Sequence, residues 1–194
     1  MKHKILDAEG FREHIEMDAL EEKAREFATR KHHEVGQLSK YSGKPYIVHP
    51  TGVVYLLRLI PGITTAQFCA AWLHDTVEDT NTTIEEIKQE FGYEIASLVD
   101  ELTYKTVPAD GNREIRKAMD IAQSAAASPA AQTIKIADVI HNCIDAEEIP
   151  RGFVQVYLKE QKKLLEVLTE GHEVIHAAAL LLIKEKLATT GKKK

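Results

Sequence analysis

Cysteine is scarce in this chain of 194 residues, which holds two, Cys69 and Cys143. Each sits inside an apolar helical pattern. Neither a disulfide framework nor a cysteine-rich zinc module can therefore be built, and a reduced, cytoplasmic protein is expected. Long apolar runs are missing too. No window approaches the ~18 apolar residues of a membrane span, and the opening Met1-Lys2-His3-Lys4-Ile5 leads to Asp7, Glu9, Arg12 and Glu13, not to the apolar core of a secretory signal. An excess of basic charge is also absent. The 25 Lys and Arg are outnumbered by 30 Asp and Glu, leaving a formal charge of -5, which argues against nucleic acid as a partner. The terminal Lys192-Lys193-Lys194 reads as a solvated end. Aromatics make up only 6% of the chain, but hydrophobic residues reach 44% and charged residues 28%. That balance excludes disorder and suits one compact domain over 1–194, with a core at about 17–188 and peripheral ends at 1–16 and 189–194. The sequence leaves a homo-oligomer open.

Strand alternation and internal repeats are lacking as well. The apolar spacing is helical throughout and predicts an all-α bundle of roughly eight or nine helices. Leu20, Ala24, Phe27 and Ala28 mark a first helix over 17–33, and 36–50 reads as an ordered loop. Helix resumes near Thr51 and ends at Pro61-Gly62. A third helix over 64–77 carries Phe68-Cys69-Ala70-Ala71-Trp72-Leu73 and is expected to be buried on all sides. Thr82 with Glu85 has the pattern of a capping box, and Gly92 ends the helix that follows. Further helices are expected near 95–102, 113–124, 130–146, 153–169 and 172–188, with a polar loop at 106–112.

What the chain has in quantity is histidine, with nine residues. The unusual segment is His74-Asp75-Thr76-Val77-Glu78-Asp79-Thr80, which comes directly after the most apolar helix. Ionisable groups at the end of a buried helix are costly unless something pairs with them. His74 and Asp75 point about 100° apart on a helix, so they converge on one atom only off the helix end or between the two side chains. A metal ion bridged to other helices would be such an atom. His49 ends the apolar Tyr46-Ile47-Val48 before Pro50, and Asp138 interrupts Ile134-Lys135-Ile136-Ala137 and Val139-Ile140, with Asn142 one turn on. Each has a plainer reading. His49 can be a loop or capping residue, Asp138 can pair with Lys135, and Glu78 and Asp79 can form a solvated terminus, although the helix dipole disfavours carboxylates at a C-terminal end.

Adjacent His74-Asp75, with His49 upstream and Asp138 downstream, resembles the metal-dependent phosphohydrolases of the HD superfamily. Gly43-Lys44-Pro45-Tyr46-Ile47-Val48-His49-Pro50, His74–Thr80 and Lys135-Ile136-Ala137-Asp138-Val139-Ile140-His141-Asn142 resemble three motifs of the RelA/SpoT-type alarmone hydrolases and of their stand-alone small relatives. The resemblance runs from about residue 20 to 168. It implies an all-helical fold holding one Mn²⁺ through His49, His74, Asp75 and Asp138. It also implies that Glu78 and Asp79 orient or activate the attacking water, and that Asn142 contacts the nucleoside. The implied reaction removes pyrophosphate from the 3′ position of ppGpp or pppGpp, leaving GDP or GTP. Two imidazoles and two carboxylates with open positions suit Mn²⁺ or Fe²⁺ better than a closed zinc site.

The phosphates call for local cations. Lys40 and Lys44, with Ser42 between them, flank the His49 loop, and Arg116-Lys117 resembles a pair in the small hydrolases that would meet the 5′ phosphates. Tyr157 either lines the pocket or joins the core. His32, His33, His141, His172 and His176 are read as structural. The sequence departs from the family pattern at Val139, at Cys143 and in 37–42, which lacks the common Arg-Lys pair. Two other readings stay open. One keeps the metal chemistry on another nucleotide, such as an adenine alarmone or a phosphorylated dinucleotide; the other is a non-catalytic alarmone sensor.

Overall fold

In the computed structural model, residues 17–40, 42–144 and 149–190 are described. The ends expected at 1–16, the terminal lysines and the expected helix end at 145–146 lie outside them. The all-α expectation holds. The chain forms α1 (Ala19–Glu34), α2 (Val48–Arg58), α3 (Thr65–Leu73), the four-residue turn α4 (Thr76–Asp79), α5 (Ile84–Phe91), α6 (Tyr93–Leu102), α7 (Arg113–Ala126), α8 (Pro129–Ile144), α9 (Arg151–Leu165) and α10 (Glu173–Thr190). Among the described residues the one β feature is an isolated antiparallel bridge between Leu38 and Pro45. No described helix is long and apolar enough to cross a membrane.

Local chemistry explains most boundaries. Asp18 caps α1 by accepting a hydrogen bond from the Leu20 amide at 2.8 Å. Thr64 and Gln67 make a reciprocal capping box at the start of α3. Gly92, at φ 87°, closes α5 and opens α6 in a conformation only glycine adopts without strain. Several expected boundaries move. α2 starts at Val48, not near Thr51, so His49 and Pro50 lie in its first turn, where proline is tolerated. The cap of α5 is Thr83, which accepts from the Glu86 amide at 3.2 Å; Thr82 is buried and bonds Thr80 instead. The expected helix over 64–77 is two pieces, broken at His74 and Asp75.

α3 and α8 are the central helices. Every residue from Cys69 to Leu73 is buried, as are Ile134, Ile136 through Ile140 and Cys143. A helix apolar on all sides must be enclosed by others. α3 packs on α1, α2, α6 and α8, and α8 packs on α2, α3, α6, α7, α9 and α10. Because α2 touches both, its N-terminal turn, the C-terminal end of α3 and the middle of α8 meet at one place.

One buried polar node ties α1, α2 and α3 together. Glu21, 2% exposed, accepts hydrogen bonds from Arg58 Nη2 at 2.5 Å and from Trp72 Nε1 at 3.0 Å. Removing the carboxylate would strand a guanidinium and an indole N–H. Glu21→Ala should therefore cost about 2–4 kcal/mol. Urea unfolding checks this, with a lowered midpoint at unchanged slope as the expected result; an unchanged midpoint would mean that water replaces the carboxylate.

Candidate metal centre and catalytic cleft

The break between α3 and α4 makes convergence possible. His74 keeps helical angles, but Asp75 turns to φ -99°, ψ -3° and caps the start of a new turn. Threonine side chains satisfy carbonyls around the break. Thr76 Oγ1 donates to the Leu73 carbonyl at 2.7 Å, and Thr80 Oγ1 to that of Thr76 at 2.6 Å. The kink brings the two neighbouring side chains together, with His74 Nε2 3.0 Å from Asp75 Oδ2.

His49 Nε2 lies 3.2 Å from His74 Nε2, 3.2 Å from Asp138 Oδ1 and 3.6 Å from Asp75 Oδ2. His74 Nε2 is 4.0 Å from Asp138 Oδ1. Ligand atoms of His49, His74 and Asp138 all fall within 4.8 Å of one another, a grouping that can hold a metal ion, and Asp75 borders it through both imidazoles. Adjacent ligands bonded at ~2.1 Å and at right angles stand about 3 Å apart, so these separations suit one shared cation. The donor chemistry fits as well. His74 Nδ1 meets the Ala71 carbonyl at 2.8 Å, which fixes a proton there and makes Nε2 the nitrogen that can offer a lone pair to a metal once it is deprotonated.

The electrostatics describe a site bound by charge. Burial disfavours a charged His74, yet Asp75 and Asp138 outweigh it and hold the imidazole up to about 9. Burial likewise opposes charge on both carboxylates, but His74 keeps Asp75, and Lys135 keeps Asp138, well below the usual range. Asp138 divides its oxygens. Oδ1 faces the imidazoles and accepts from Asn142 Nδ2 at 2.5 Å, and Oδ2 meets Lys135 Nζ at 2.9 Å. The plain pairing with Lys135 and the metal-site geometry are thus both present. Asp75 Oδ2 accepts from the Tyr46 hydroxyl at 2.5 Å, and burial, with the Asp75 charge, pushes the phenol up and keeps it a donor.

Glu78 and Asp79 stand on α4 and are held individually. Glu78 Oε1 accepts from the Tyr104 amide at 2.6 Å, and Asp79 Oδ2 from Gln37 Nε2 at 2.8 Å. Burial raises both above ordinary carboxyl values. Beside them two clefts adjoin. One, about 650 Å³ with its mouth included, is lined by Asp138, Asn142, Lys117 and Tyr157 among others; the second, about 560 Å³, takes Glu78, Thr106, Arg113, Arg116 and Lys117. Tyr104, Lys117 and Asp120 belong to both. The structure thus gathers most of the sequence candidates. Lys40, Ser42 and Lys44 line neither cleft; they lie on the loop closed by the Leu38–Pro45 bridge.

Sequence reasoning missed several participants. His141, read as structural, places Nδ1 3.0 Å from His49 Nδ1, and its position three residues after Asp138 was a signal that both share a helix face. His32 Nδ1 meets Gln37 Oε1 at 2.6 Å, so it supports the amide that holds Asp79. Gln37 and Tyr104 reach the site from segments that gave no local sign, and Tyr46, inside the motif that carries His49, was given no role of its own. His172 and His176 remain structural, joining the start of α10 to Thr133 and to the Leu165 carbonyl.

Asp75 and Asp138 favour a protonated His74, so a cation taken up through Nε2 would displace that proton. Affinity for a divalent cation, probed with Mn²⁺, should therefore rise about tenfold per pH unit toward the His74 value of about 9, then level off. Calorimetric titrations across that range test the sign; an affinity indifferent to pH would mean the imidazole is already neutral. His74→Ala and Asp138→Ala should each abolish Mn²⁺ binding, read by metal analysis.

The family model described as the HD domain matches residues 24–142. Human guanosine-3′,5′-bis(diphosphate) 3′-pyrophosphohydrolase MESH1 is 35% identical over 170 residues, spanning 84% of this chain and 92% of its own. A guanosine-3′,5′-bis(diphosphate) 3′-pyrophosphohydrolase of Aquifex aeolicus is 40% identical over 116 residues, 56% of this chain and 16% of that longer protein. A solved structure described as a metazoan ortholog of SpoT that hydrolyzes ppGpp aligns with a TM-score of 0.75 at 27% identity, covering 90% of this chain and 97% of the other. The matched family model and these likenesses over most of both chains show that the chain belongs to the HD domain family, among the relatives of MESH1 and SpoT.

Proposed function

We propose that this chain is a metal-dependent hydrolase that removes pyrophosphate from the 3′ position of ppGpp or pppGpp, leaving GDP or GTP. The observation that carries the reading is the convergence of two imidazoles and two carboxylates, of which Asp138 lines a cleft that shares Lys117 with the polar cleft lined by Arg113 and Arg116. The named activity of MESH1, similar over most of both chains, supports the same substrate class. His49, His74, Asp75 and Asp138 would hold the cation, proposed as Mn²⁺, with Fe²⁺ the other ion the donor set suits. When bound, the cation would supply positive charge to phosphoryl oxygens and acidify a neighbouring water.

The remaining work falls to the chain's own groups. Glu78 Oε1 is committed to the Tyr104 amide, so Oε2 is the oxygen left to take a proton from the attacking water. Its raised pKa favours that role, since a base works best near the operating pH. Asp79, steadied by Gln37, would orient the same water. Lys117 and Arg116, which line the second cleft, would receive phosphates. Asn142 and Tyr157 line the cleft on the Asp138 side, where the nucleoside would lie. The loop bearing Lys40, Ser42 and Lys44 adjoins the centre through Gln37 and Tyr46 and would meet the substrate from there. A reducing cytoplasm is the proposed setting, because Cys69 and Cys143 are buried free thiols that burial pushes up to about 12.

Pyrophosphate release from guanine and adenine alarmones with Mn²⁺ present is the primary test; release only from ppGpp and pppGpp is expected, and none from either would overturn the reading. Glu78→Gln keeps size and hydrogen-bonding reach but removes basicity. It should retain Mn²⁺ and nucleotide while kcat falls by about 10²-fold or more. Full turnover in that variant would reduce Glu78 to a polar helix end. Combined Arg116→Glu and Lys117→Glu should raise KM several-fold and steepen salt sensitivity without loss of metal. Unaltered kinetics would make the pair a solvated surface.

A further inference from the structure

His49 can act as a metal ligand only if its ring is held with Nε2 toward the other ligands. His74 meets the same requirement with main chain, through the Ala71 carbonyl. His49 meets it with a side chain. Its Nδ1 lies 3.0 Å from Nδ1 of His141, and the two rings stand edge to face, 4.9 Å between centroids at 72°. Two ring nitrogens in contact need one proton between them. For His49 Nε2 to offer a lone pair, its proton must sit on Nδ1 and be donated to His141 Nδ1. His141 then carries its own proton on Nε2.

The ring of His141 reaches this place because residue 52 has no side chain. A Cβ on Gly52 would lie 1.9 Å from His141 Cδ2 and 2.0 Å from Nε2, well inside any tolerable contact. Gly52 lies within α2, where glycine is a poor helix former, and its φ is not positive. Backbone conformation therefore gives no reason for glycine here; space for the His141 ring does.

We infer, building on the proposed metal-ligand role of His49, that Gly52 and His141 form a positioning pair for that residue. Gly52 admits the His141 imidazole against α2, and His141 Nδ1 accepts the His49 Nδ1 proton, fixing the tautomer and ring angle that present Nε2 to a cation. Neither residue is among those whose ligand atoms gather for a cation, and neither lines the two clefts. Partners of this kind typically govern metal affinity by 10–100-fold when lost.

The experiment measures Mn²⁺ dissociation constants by electron paramagnetic resonance of free Mn²⁺, with circular dichroism confirming the helical fold of each variant. His141→Asn retains an acceptor near the Nδ1 position and should stay within a few-fold of the unmodified chain. His141→Leu fills similar volume without an acceptor and should weaken binding 10–100-fold. Gly52→Ala should weaken binding to a similar degree, yet add little to His141→Ala, because the ring it would displace is already gone. Equal affinities for the Asn and Leu variants would show packing alone and overturn the inference. So would a folded Gly52→Ala chain with unchanged affinity. If Gly52→Ala does not fold, the Asn and Leu pair decides. Failure of the unmodified chain to bind Mn²⁺ would overturn the metal reading itself, and this inference with it.

Discussion

Four polar groups, His49, His74, Asp75 and Asp138, are forced together where three helices meet, with contacts of 3.0 to 4.0 Å linking the imidazoles to the carboxylates. Bare carboxylates in so enclosed a place are costly, and the structure shows what offsets them. Asp75 and Asp138 favour the protonated His74 imidazole, and Lys135 closes the far side of Asp138 at 2.9 Å. A divalent cation would exchange for that proton and keep the carboxylates matched. The same attraction that holds His74 up thus marks where a cation would go, and ties metal uptake to proton release.

That requirement shapes the helices around it. α3 and α8 are buried almost throughout, so each can carry a polar residue inward only where other elements supply partners. α8 does so without a break, because Asp138, Lys135 and Asn142 satisfy one another along one helix face. α3 cannot, since His74 and Asp75 are neighbours and a continuous helix would separate them. The chain ends the helix instead, and Thr76 and Thr80 satisfy carbonyls around the break. A local departure from helical continuity is the kind of inconsistency that functional sites introduce.

This contrast also explains how much was legible in the sequence. Helical periodicity gave the all-α class, the central place of the third helix and the oddity of Asp138, because each leaves a mark within about ten residues. The adjacency of His74 and Asp75 posed the problem of convergence but not its solution. The expected helix extends to residue 77, although a break at 74–75 is what brings the side chains together. Thr83 rather than Thr82 caps α5, since two neighbouring threonines with glutamates three residues on are equivalent to a pattern reader. The supports were least visible. Gln37 lies 42 residues before Asp79, Tyr46 29 before Asp75, and His49 92 before His141; pairings at such separations leave no periodic trace.

The cationic side of the site is organised differently. In a chain of net charge -5, two of the positive groups at the clefts are already matched to acids: Lys117 to Asp120 at 3.1 Å and Arg113 to Glu160 at 2.5 Å. Those pairs hold the side chains in place before any ligand arrives, so less rotamer entropy remains to be lost on binding. They also impose competition, because a phosphate must replace or share a carboxylate already in contact. A single phosphate gains little from such an exchange near the surface, where pairs are worth about 0–1 kcal/mol. A ligand bearing several phosphates exchanges with several cations at once, and its second contact is made at high effective concentration. On the proposed reading, the acidic partners at the clefts would therefore favour a polyphosphorylated nucleotide over a monophosphate.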